Sequence, residues 1–276
     1  MSKAWTSDDT PDVTPLGWAG WLRVLCRAVP MVVLVFGGLL FLLFIRLFER
    51  LFCGVARPVT PHITQWVCRG ALFLLGLKFT TIGKPMTGGG AVVANHVSWL
   101  DIFALNARKR IYFVAKSEVA DWPGIGWLAR ATGTLFIRRA RGAAPDQVAL
   151  FKERLAVGHR LLFFPEGTST DGLQILPFKS TLFAAFFDSE LRDGLAIQPV
   201  TVIYHAPDGA DPRFYGWWGD MDFGPHLLAT LAAKRQGGVT AVYHPPVQMA
   251  AFADRKKMAK ALEETVRAGL NRHRNT

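Results

Sequence analysis

Cysteine is scarce in this sequence, and the few cysteines have no arrangement typical of a cross-linked or zinc-binding protein. Only three occur among the 276 residues, at Cys26, Cys53 and Cys68, and no two of them form a Cys-x-x-Cys pair. An odd number of cysteines without metal-ligand spacing argues against a disulfide framework and against a structural zinc site. The composition is compatible with a reducing compartment.

Several motifs that would indicate nucleotide binding or hydrolysis are also missing. The sequence has no phosphate-binding P-loop, no His-Glu-x-x-His and no Gly-x-Ser-x-Gly nucleophile elbow. Residues 124–129 match Gly-x-Gly-x-x-Ala by letter, but they follow Asp-Trp-Pro and no strand, so a dinucleotide site is not predicted. Residues 167–170 begin like the nucleophile elbow, but Asp171 replaces its final glycine. No metal site is predicted.

Acidic residues are outnumbered by basic ones. The chain has 32 Lys and Arg against 21 Asp and Glu, a formal net charge of +11, and only 19% charged residues beside 50% hydrophobic ones. It is too apolar for a disordered chain and too charged for a polytopic membrane protein. A basic surface attracts nucleic acid or acidic lipid headgroups. Nine tryptophans favour lipid, and no nucleic-acid motif is present, so we expect an anionic membrane surface as partner.

One hydrophobic run is long enough to enter a membrane. Residues 28–45 are 18 consecutive uncharged, mostly apolar residues, close to the roughly 20 needed to cross a bilayer. A second stretch, 67–77, is interrupted by Arg69 and is too short to span. The run forms either a single span or, with the second stretch, a hairpin that dips into one leaflet. We expect a disordered tail over 1–22 and membrane-anchoring helices over 23–87.

The remainder, 88–276, alternates short apolar runs with helix-like segments. Continuous apolar runs predict strands that are covered on both faces. The predicted strands are 91–94, 112–115, 134–137, 161–164, 199–204 and 239–243. The predicted helices are 99–106, 126–131, 145–157, 181–188, 226–234 and 255–272. This alternation predicts an α/β domain with a mixed, largely parallel sheet flanked by helices.

The first candidate for catalysis follows the strand at 91–94. His96 precedes Asp101 by five residues, and a carboxylate can hold an imidazole in one tautomer while the ring removes a proton from a nucleophile. On an ideal helix the two would point about 140° apart, so the pair needs a turn between strand and helix. The alternative is that Asp101 is an ordinary first-turn helix residue and His96 a surface loop residue.

Two further polar groups follow other predicted strands, where α/β sheets gather their ligands. Glu166, Gly167 and Thr168 form a tight turn after 161–164, and its carboxylate, hydroxyl and backbone N–H groups can bind a polar headgroup or an oxyanion. Arg138 and Arg139 follow 134–137 and offer paired donors for an anion. The alternatives are an ordinary glycine turn and a solvated pair of charges.

In this order, His-x4-Asp, Phe-Ile-Arg, Phe-Pro-Glu-Gly-Thr and Ile-Gln-Pro-Val resemble the glycerolipid acyltransferases. Their type members are the lysophosphatidic acid acyltransferases (1-acylglycerol-3-phosphate O-acyltransferases), and the resemblance covers roughly residues 70 to 245. It implies that His96 is the general base and Asp101 its orienting partner. It also implies that Arg138, Glu166 and Gly167 bind the acceptor headgroup and that Pro199 shapes the acyl-donor side. The family carries an N-terminal two-helix membrane motif.

One position departs from that family. The lysophosphatidic acid enzymes continue as Glu-Gly-Thr-Arg, whereas this chain has Ser169 after Thr168. Losing a charged hydrogen bond of about 1.5–3 kcal/mol weakens phosphate recognition unless another cation, such as Arg138, Arg139 or Lys179, replaces it. Glu-Gly-Thr-Ser-Thr-Asp-Gly looks more like branches that acylate other lysolipids, among them the bacterial lyso-ornithine lipid O-acyltransferases.

The resemblance implies a membrane-bound O-acyltransferase at the cytoplasmic face of a bacterial inner membrane. It moves a fatty acyl group from an acyl-carrier-protein or coenzyme A thioester to the hydroxyl of a lysolipid, either lyso-ornithine lipid or 1-acylglycerol-3-phosphate, and needs no cofactor. The alternatives are an enzyme that forms only phosphatidic acid, a hydrolase that uses the same His–Asp pair, and a non-catalytic lipid-binding membrane protein.

Overall fold

A computed structural model describes residues 5–7, 11, 15–137, 144–187, 189–192 and 194–274. The helices are α1 (Trp18–Cys53), α2 (Thr60–Leu75), α3 (Asp101–Arg108), α4 (Ile125–Thr132), α5 (Ala144–Ala156), α6 (Ser189–Arg192), α7 (Phe223–Ala232) and α8 (Arg255–His273). The strands are β1 (Lys78–Gly83), β2 (Gly90–Ala94), β3 (Tyr112–Lys116), β4 (Leu135–Ile137), β5 (Arg160–Phe163), β6 (Ala196–His205), β7 (Gly238–Tyr243) and β8 (Val247–Gln248). Short 3₁₀ helices cover Ser117–Asp121, Ser180–Phe187 and Met249–Ala251.

The strands of the described residues form one mixed sheet with β2 at its centre. The order is β1-β7-β6-β2-β5-β3-β4, and β8 pairs with β6. The pairings β1–β7, β2–β5, β2–β6, β3–β4 and β3–β5 are parallel, whereas β6 is antiparallel to β7 and β8. The carboxyl ends of β2, β3, β4, β5 and β6 therefore meet at one edge of the sheet.

The sheet is buried on both faces, as its continuous apolar strands predict. In β2, Val92 and Ala94 pack into a core that also contains Leu72 and Leu100 from the α2 and α3 side. Ala91 and Val93 point the other way, into a core with α8. Successive residues of a strand alternate between faces, so an unbroken apolar run serves two cores at once.

All six predicted strands form within one to three residues of their expected ends, and the α/β fold class is confirmed. β1 and β8 were not predicted. β1 lies inside the range 23–87 that the sequence assigns to the membrane-anchoring helices, yet it pairs along its whole length with β7. The helix predicted at 181–188 forms a 3₁₀ helix over Ser180–Phe187, and residue 188 lies outside the described residues.

The N-terminal helices form a closely packed hairpin. α1 has 36 residues, and its most apolar 18-residue window is only 6% buried, so it is long and apolar enough to cross a membrane. Where α2 crosses it, a Cβ on Gly70 would lie 2.8 Å from Leu34 Cδ2, and a Cβ on Gly38 would clash with Val67. Glycine at both contacts lets the backbones approach, as in helix pairs within membranes.

A buried carboxylate closes the turn of the hairpin. Glu49, 6% exposed, accepts hydrogen bonds from the backbone N–H groups of Val59 and Thr60 and from the Thr60 hydroxyl. These N–H groups lie at the start of α2. An acidic side chain there satisfies unpaired donors and interacts favourably with the positive end of the helix dipole. The single acidic residue between residues 13 and 100 therefore fixes the angle between the two helices.

Both flanks of α1 are tied to the α/β part of the chain. Arg23 and Arg27 donate hydrogen bonds of 2.6 Å to the last carbonyls of α7, at residues 231–233. Beyond the other end, Arg57 donates to the Ala131 carbonyl near the end of α4, at 2.8 Å. The hairpin thus lies along the domain and does not project away from it.

Candidate active site

The turn between β2 and α3 brings His96 and Asp101 together. His96 Nδ1 lies 2.7 Å from Asp101 Oδ2, and the same oxygen accepts hydrogen bonds from the backbone N–H groups of Val97 and Ser98. Asp101 also begins α3, so both alternatives for this residue hold at once: it is a first-turn helix residue and the partner of His96. A carboxylate oxygen accepts, so Nδ1 donates to Oδ2, and Nε2 is the ring nitrogen left to face a substrate.

Asp101 is supplied with donors on both oxygens. Its side chain is fully buried, and Oδ1 accepts a hydrogen bond of 2.8 Å from the Tyr204 hydroxyl of β6. Burial raises the pKa of Tyr204 well above its ordinary value, and the adjacent carboxylate acts in the same direction. The tyrosine therefore stays protonated and donates, which holds the carboxylate in a geometry that serves the imidazole.

The imidazole of His96 is held in place and remains partly exposed. Its ring stacks on Phe164, with centroids 4.1 Å apart and an angle of 11° between planes, and its side chain is 23% exposed. Phe164 directly follows β5, the neighbour of β2. The ring therefore has a fixed orientation with one nitrogen bound to Asp101, an arrangement that general-base catalysis requires.

Glu166 connects the two loops of the site. Its Oε1 accepts from the His96 backbone N–H at 2.8 Å and its Oε2 from the Leu176 N–H at 2.7 Å. The side chain is only 1% exposed, and this burial raises its pKa to about 8 although the two hydrogen bonds act in the opposite direction. In this structure the carboxyl positions His96 and the following loop, and Gly167 makes the intervening turn at φ 73°.

The structure brings only some of the predicted substrate-binding residues to this cluster. Thr168 accepts a long hydrogen bond from the Trp5 backbone N–H, and Ser169 is buried, so the turn after Gly167 lies beneath an N-terminal segment. The Lys179 N–H donates to the Pro165 carbonyl, which places its backbone beside the same turn. Arg138 and Arg139 lie outside the described residues.

Pro199 lies deeper in the sheet than the other candidates. It pairs with Val93 in β2, three residues before His96 and so about 10 Å lower along the strand. Proline lacks the N–H that a central strand donates, and here its carbonyl accepts from His244 at the point where β7 has ended. It shapes the path of β6, and it has no hydrogen bond to the catalytic cluster.

Three contributors to the site were not predicted: Tyr204, Phe164 and Asn95. Asn95 exchanges two hydrogen bonds with the backbone of Val202, at 2.8 and 2.9 Å, and so holds the end of β2 against β6. A usable signal existed, because each of the three lies at or just beyond the end of a predicted strand. In the described part of the chain no three His, Cys, Asp or Glu side chains are grouped to hold a metal ion.

Comparisons with known proteins agree with this site. Residues 80–203, which contain His96, Asp101 and Glu166, match the family described as Acyltransferase. The chain is 54% identical over 266 residues to a lyso-ornithine lipid O-acyltransferase of Rhodobacter capsulatus, covering 96% of each chain. A protein of the same description from Brucella abortus is 35% identical, with 91% and 95% covered.

The fold also has a counterpart among solved structures. The crystal structure of a 1-acyl-sn-glycerophosphate acyltransferase of Thermotoga maritima matches with a TM-score of 0.64 at 23% identity, covering 92% of this chain and 95% of that one. Because relatives match almost the whole chain and the family match contains His96, Asp101 and Glu166, the chain belongs to the acyltransferase family, as its motifs predict.

Proposed function

We propose that this protein is a membrane-bound O-acyltransferase that transfers a fatty acyl group from an acyl-carrier-protein or coenzyme A thioester to the hydroxyl of lyso-ornithine lipid. The observation that carries the reaction is the 2.7 Å contact between the oriented His96 imidazole and the buried Asp101. The identity of 54% to the Rhodobacter capsulatus protein of that description supports the acceptor.

In the proposed mechanism His96 is the general base. Its Nε2 takes the proton of the acceptor hydroxyl while Asp101 stabilises the imidazolium that forms. The acceptor oxygen attacks the thioester carbonyl, and backbone N–H groups of the turn around Gly167 stabilise the oxyanion. The thiolate then leaves and takes the proton from His96, so no acyl-enzyme and no nucleophilic serine are needed.

The remaining residues of the site are assigned to positioning and to the acceptor headgroup. Glu166 holds the His96 backbone, because both of its oxygens are occupied by N–H groups. Gly167, Thr168, Lys179 and Arg138 contact the headgroup, and Pro199 shapes the acyl-donor side. Ser169 stands where the lysophosphatidic acid enzymes have an arginine, and a neutral hydroxyl there favours an acceptor without a phosphomonoester.

The hairpin embeds the enzyme in one leaflet of the membrane. α1 is about 54 Å long by its residue count, yet both of its flanks bind the same domain, through Arg23 and Arg27 at one end and Arg57 beyond the other. A perpendicular span would separate these two attachments by the thickness of the bilayer. Exposed apolar side chains along α1 and α2, such as Phe41, Phe44 and Phe73, then contact acyl chains.

The acceptor can be tested with two lysolipids in parallel. Membranes containing the full chain are incubated with labelled acyl-carrier-protein thioester and either lyso-ornithine lipid or lysophosphatidic acid, with His96→Ala as the blank. We expect labelled product from lyso-ornithine lipid and at least about tenfold less from lysophosphatidic acid, since one charged contact is worth roughly a factor of ten or more.

Two outcomes would contradict the proposal. Equal or preferred transfer to lysophosphatidic acid would mean that other cations compensate Ser169 and that the product is phosphatidic acid. Release of free fatty acid without any acceptor would mean that the His–Asp pair activates water. Repeating the assay with a coenzyme A thioester identifies the donor.

A further inference from the structure

An open groove lies between the hairpin and α4, and none of its lining residues belongs to the His96–Asp101 site. It has a volume of about 860 Å³, within the range of small-molecule sites. One wall is apolar and belongs to α1, with Phe36, Leu40 and Leu43 all more than 40% exposed. Trp127 of α4 forms part of the other wall and is 66% exposed. We call this feature the hairpin groove.

The polar residues that line the hairpin groove are all basic. Four arginines line it, Arg46, Arg50, Arg57 and Arg130, and no acidic residue does. Arg50 has no hydrogen bond or ion pair to any described residue, and Arg130 has only a loose contact of 3.7 Å with the well-exposed Asp121. Arg46 is paired with the buried Glu49 at 3.3 Å. Exposed pairs such as Arg130–Asp121 contribute little, so Arg50 and Arg130 carry the charge that the protein leaves largely without a counter-ion.

Arg57 is built into the floor of the groove. Its backbone has φ 49°, a conformation rare for a residue other than glycine, and its guanidinium lies against Gly133 while donating to Ala131. Burial lowers the pKa of Arg57 to about 10, and the neighbouring Arg46 and Arg154 act in the same direction. The residue remains cationic at neutral pH and is held among like charges.

We propose that the hairpin groove binds one anionic phospholipid of the bilayer, with its phosphate on the arginines and an acyl chain along α1. The combination of an apolar wall and a cationic rim in one groove fits an amphiphile with a phosphate at the junction of head and tail. This proposal rests on the proposed function, in which the hairpin lies in the membrane, so a bilayer lipid is the occupant within reach.

The position of the groove differs from that of the acceptor site. The groove shares no residue with His96, Asp101, Glu166 or the turn at Gly167. Arg130 connects it to a smaller cavity of about 430 Å³ beside Ser117 and Phe136, at the ends of β3 and β4. A lipid held there would lie beside the ends of β3 and β4, on side chains other than those assigned to the acceptor headgroup.

The test compares two tryptophans of the same protein. The full chain is placed in phosphatidylcholine nanodiscs that contain increasing fractions of phosphatidylglycerol or phosphatidylcholine with brominated chains, which quench tryptophan fluorescence on contact. The chain has nine tryptophans, so each signal is the difference between wild type and a Trp→Phe variant. Trp127 reports on the groove, and Trp66, 75% exposed on α2 and outside the groove, is the matched control.

We expect brominated phosphatidylglycerol to quench Trp127 at a mole fraction at least tenfold lower than brominated phosphatidylcholine does, because paired arginine–phosphate contacts change the affinity by about that factor. Trp66 should be quenched equally by both lipids. The double variant Arg50→Gln/Arg130→Gln should abolish the preference of Trp127. Arg255→Gln, which removes an exposed arginine at the start of α8, should leave it unchanged.

The proposal is overturned if Trp127 and Trp66 show the same preference for phosphatidylglycerol, because the whole basic surface then enriches anionic lipid without a site. It is also overturned if the double variant keeps the preference of Trp127. The comparison of Trp127 with Trp66 needs no arginine variant. It therefore tests the proposal even if the double variant is poorly folded. Arg50→Gln alone, which removes no hydrogen bond among described residues, should shift the preference in the same direction by a smaller factor.

Discussion

At the carboxyl end of β2, hydrogen bonds from the protein hold two buried carboxyl groups in place. Beside the hairpin, by contrast, two of four arginines are weakly paired: Arg50 has no acidic partner among the described residues, and Arg130 has only the exposed Asp121 at 3.7 Å. Asp101 accepts four hydrogen bonds and Glu166 accepts two, and all the donors belong to the same domain. The hairpin groove has a charge of the opposite sign and leaves Arg50 without a partner among described residues.

The two regions differ because orienting a reacting group and binding a charged lipid place opposite demands on the charges of the protein. A catalytic group must be oriented before substrate arrives, so its hydrogen bonds are completed internally. A binding site for a charged lipid gains affinity only if the charges of the protein are not already neutralised. The chain therefore satisfies its charges where we propose that it performs chemistry, and leaves Arg50 and Arg130 largely unpaired where we propose that it binds lipid.

The largest expected effect is that of His96→Ala, which should nearly abolish acyl transfer and leave lipid binding in the hairpin groove unchanged. His96→Ala should lower acyl transfer by about 10³- to 10⁴-fold, because it removes the base itself. The preference of Trp127 for brominated phosphatidylglycerol should not change in this variant. Transfer rates and quenching curves on the same nanodisc preparation check both halves, and residual transfer above a tenth of wild type would show that His96 is not the base.

Asp101→Asn tests whether the charge or only the shape of the catalytic cluster matters. The amide oxygen can still accept from His96, Val97 and Ser98, while the Tyr204 hydroxyl rotates to accept from the new NH₂ group. The fold should survive, and the rate of transfer at saturating substrate should fall by about 10²- to 10³-fold, since the imidazolium loses its counter-charge. An unchanged thermal unfolding midpoint with an unchanged rate would mean that the carboxylate has no electrostatic role.

Tyr204→Phe removes one of the four donors and should have a smaller effect. Losing a hydrogen bond to a charged group should lower the rate of transfer by about tenfold with little change in KM, because Tyr204 positions Asp101 and touches no substrate. A matched control is Tyr215→Phe, which removes a hydroxyl bonded to Gln236 and Gly237 away from Asp101. Equal effects of the two variants on the rate would point to general destabilisation of the fold.

The pH dependence of stability should report on Glu166. Its pKa in the folded protein is about 8 and lies above the ordinary value near 4.5, so the folded state binds the proton more tightly than the unfolded state. The stabilising contribution is complete below pH 4.5 and is lost as the pH rises through 8. The thermal unfolding midpoint in detergent micelles should fall between about pH 5 and pH 9, and less steeply in Glu166→Gln.

The glutamine variant has a second expected signature. Its NH₂ group would face either the His96 or the Leu176 backbone N–H, both of which are donors, so the unfolding midpoint at pH 5 should also be lower than that of wild type. An identical pH slope in wild type and variant would assign the proton uptake to another group. This variant leaves the proposed base in place, so it tests how the hydrogen bonds around His96 are held and not the reaction itself.

Much of the fold follows from the sequence because the central strands carry an unmistakable pattern. β2, β5 and β6 are buried on both faces and appear as unbroken apolar runs. β1 was not predicted because it is an edge strand whose residues are exposed or only partly buried, with Lys78 and Thr80 exposed. Its neighbour β7 also lies some 160 residues later in the chain. The pairing of distant strands is a tertiary fact that no local periodicity contains.

In the candidate site, too, the local features were predictable from the sequence and the long-range contacts were not. The His–Asp pair lies within one turn, so spacing alone suggests it. Tyr204 is 103 residues from Asp101, and its role depends on β6 lying directly beside β2. The hairpin groove needs two further facts, the crossing of α1 and α2 and the approach of α4, which follow from packing and not from sequence pattern.

Asp101 and Asn95 both depend on β6 for hydrogen-bond partners, and this dependence sets the order in which parts of the chain can fold during synthesis. As the chain leaves the ribosome, α1 and α2 emerge first, while β2 lacks its neighbour on one side for about a hundred residues. Asn95 finds its backbone partner only at Val202, and Asp101 its tyrosine only at Tyr204. Contacts of such long range form late. The two N-terminal helices of the growing chain are therefore complete well before the hydrogen bonds that hold Asn95 and Asp101 can form.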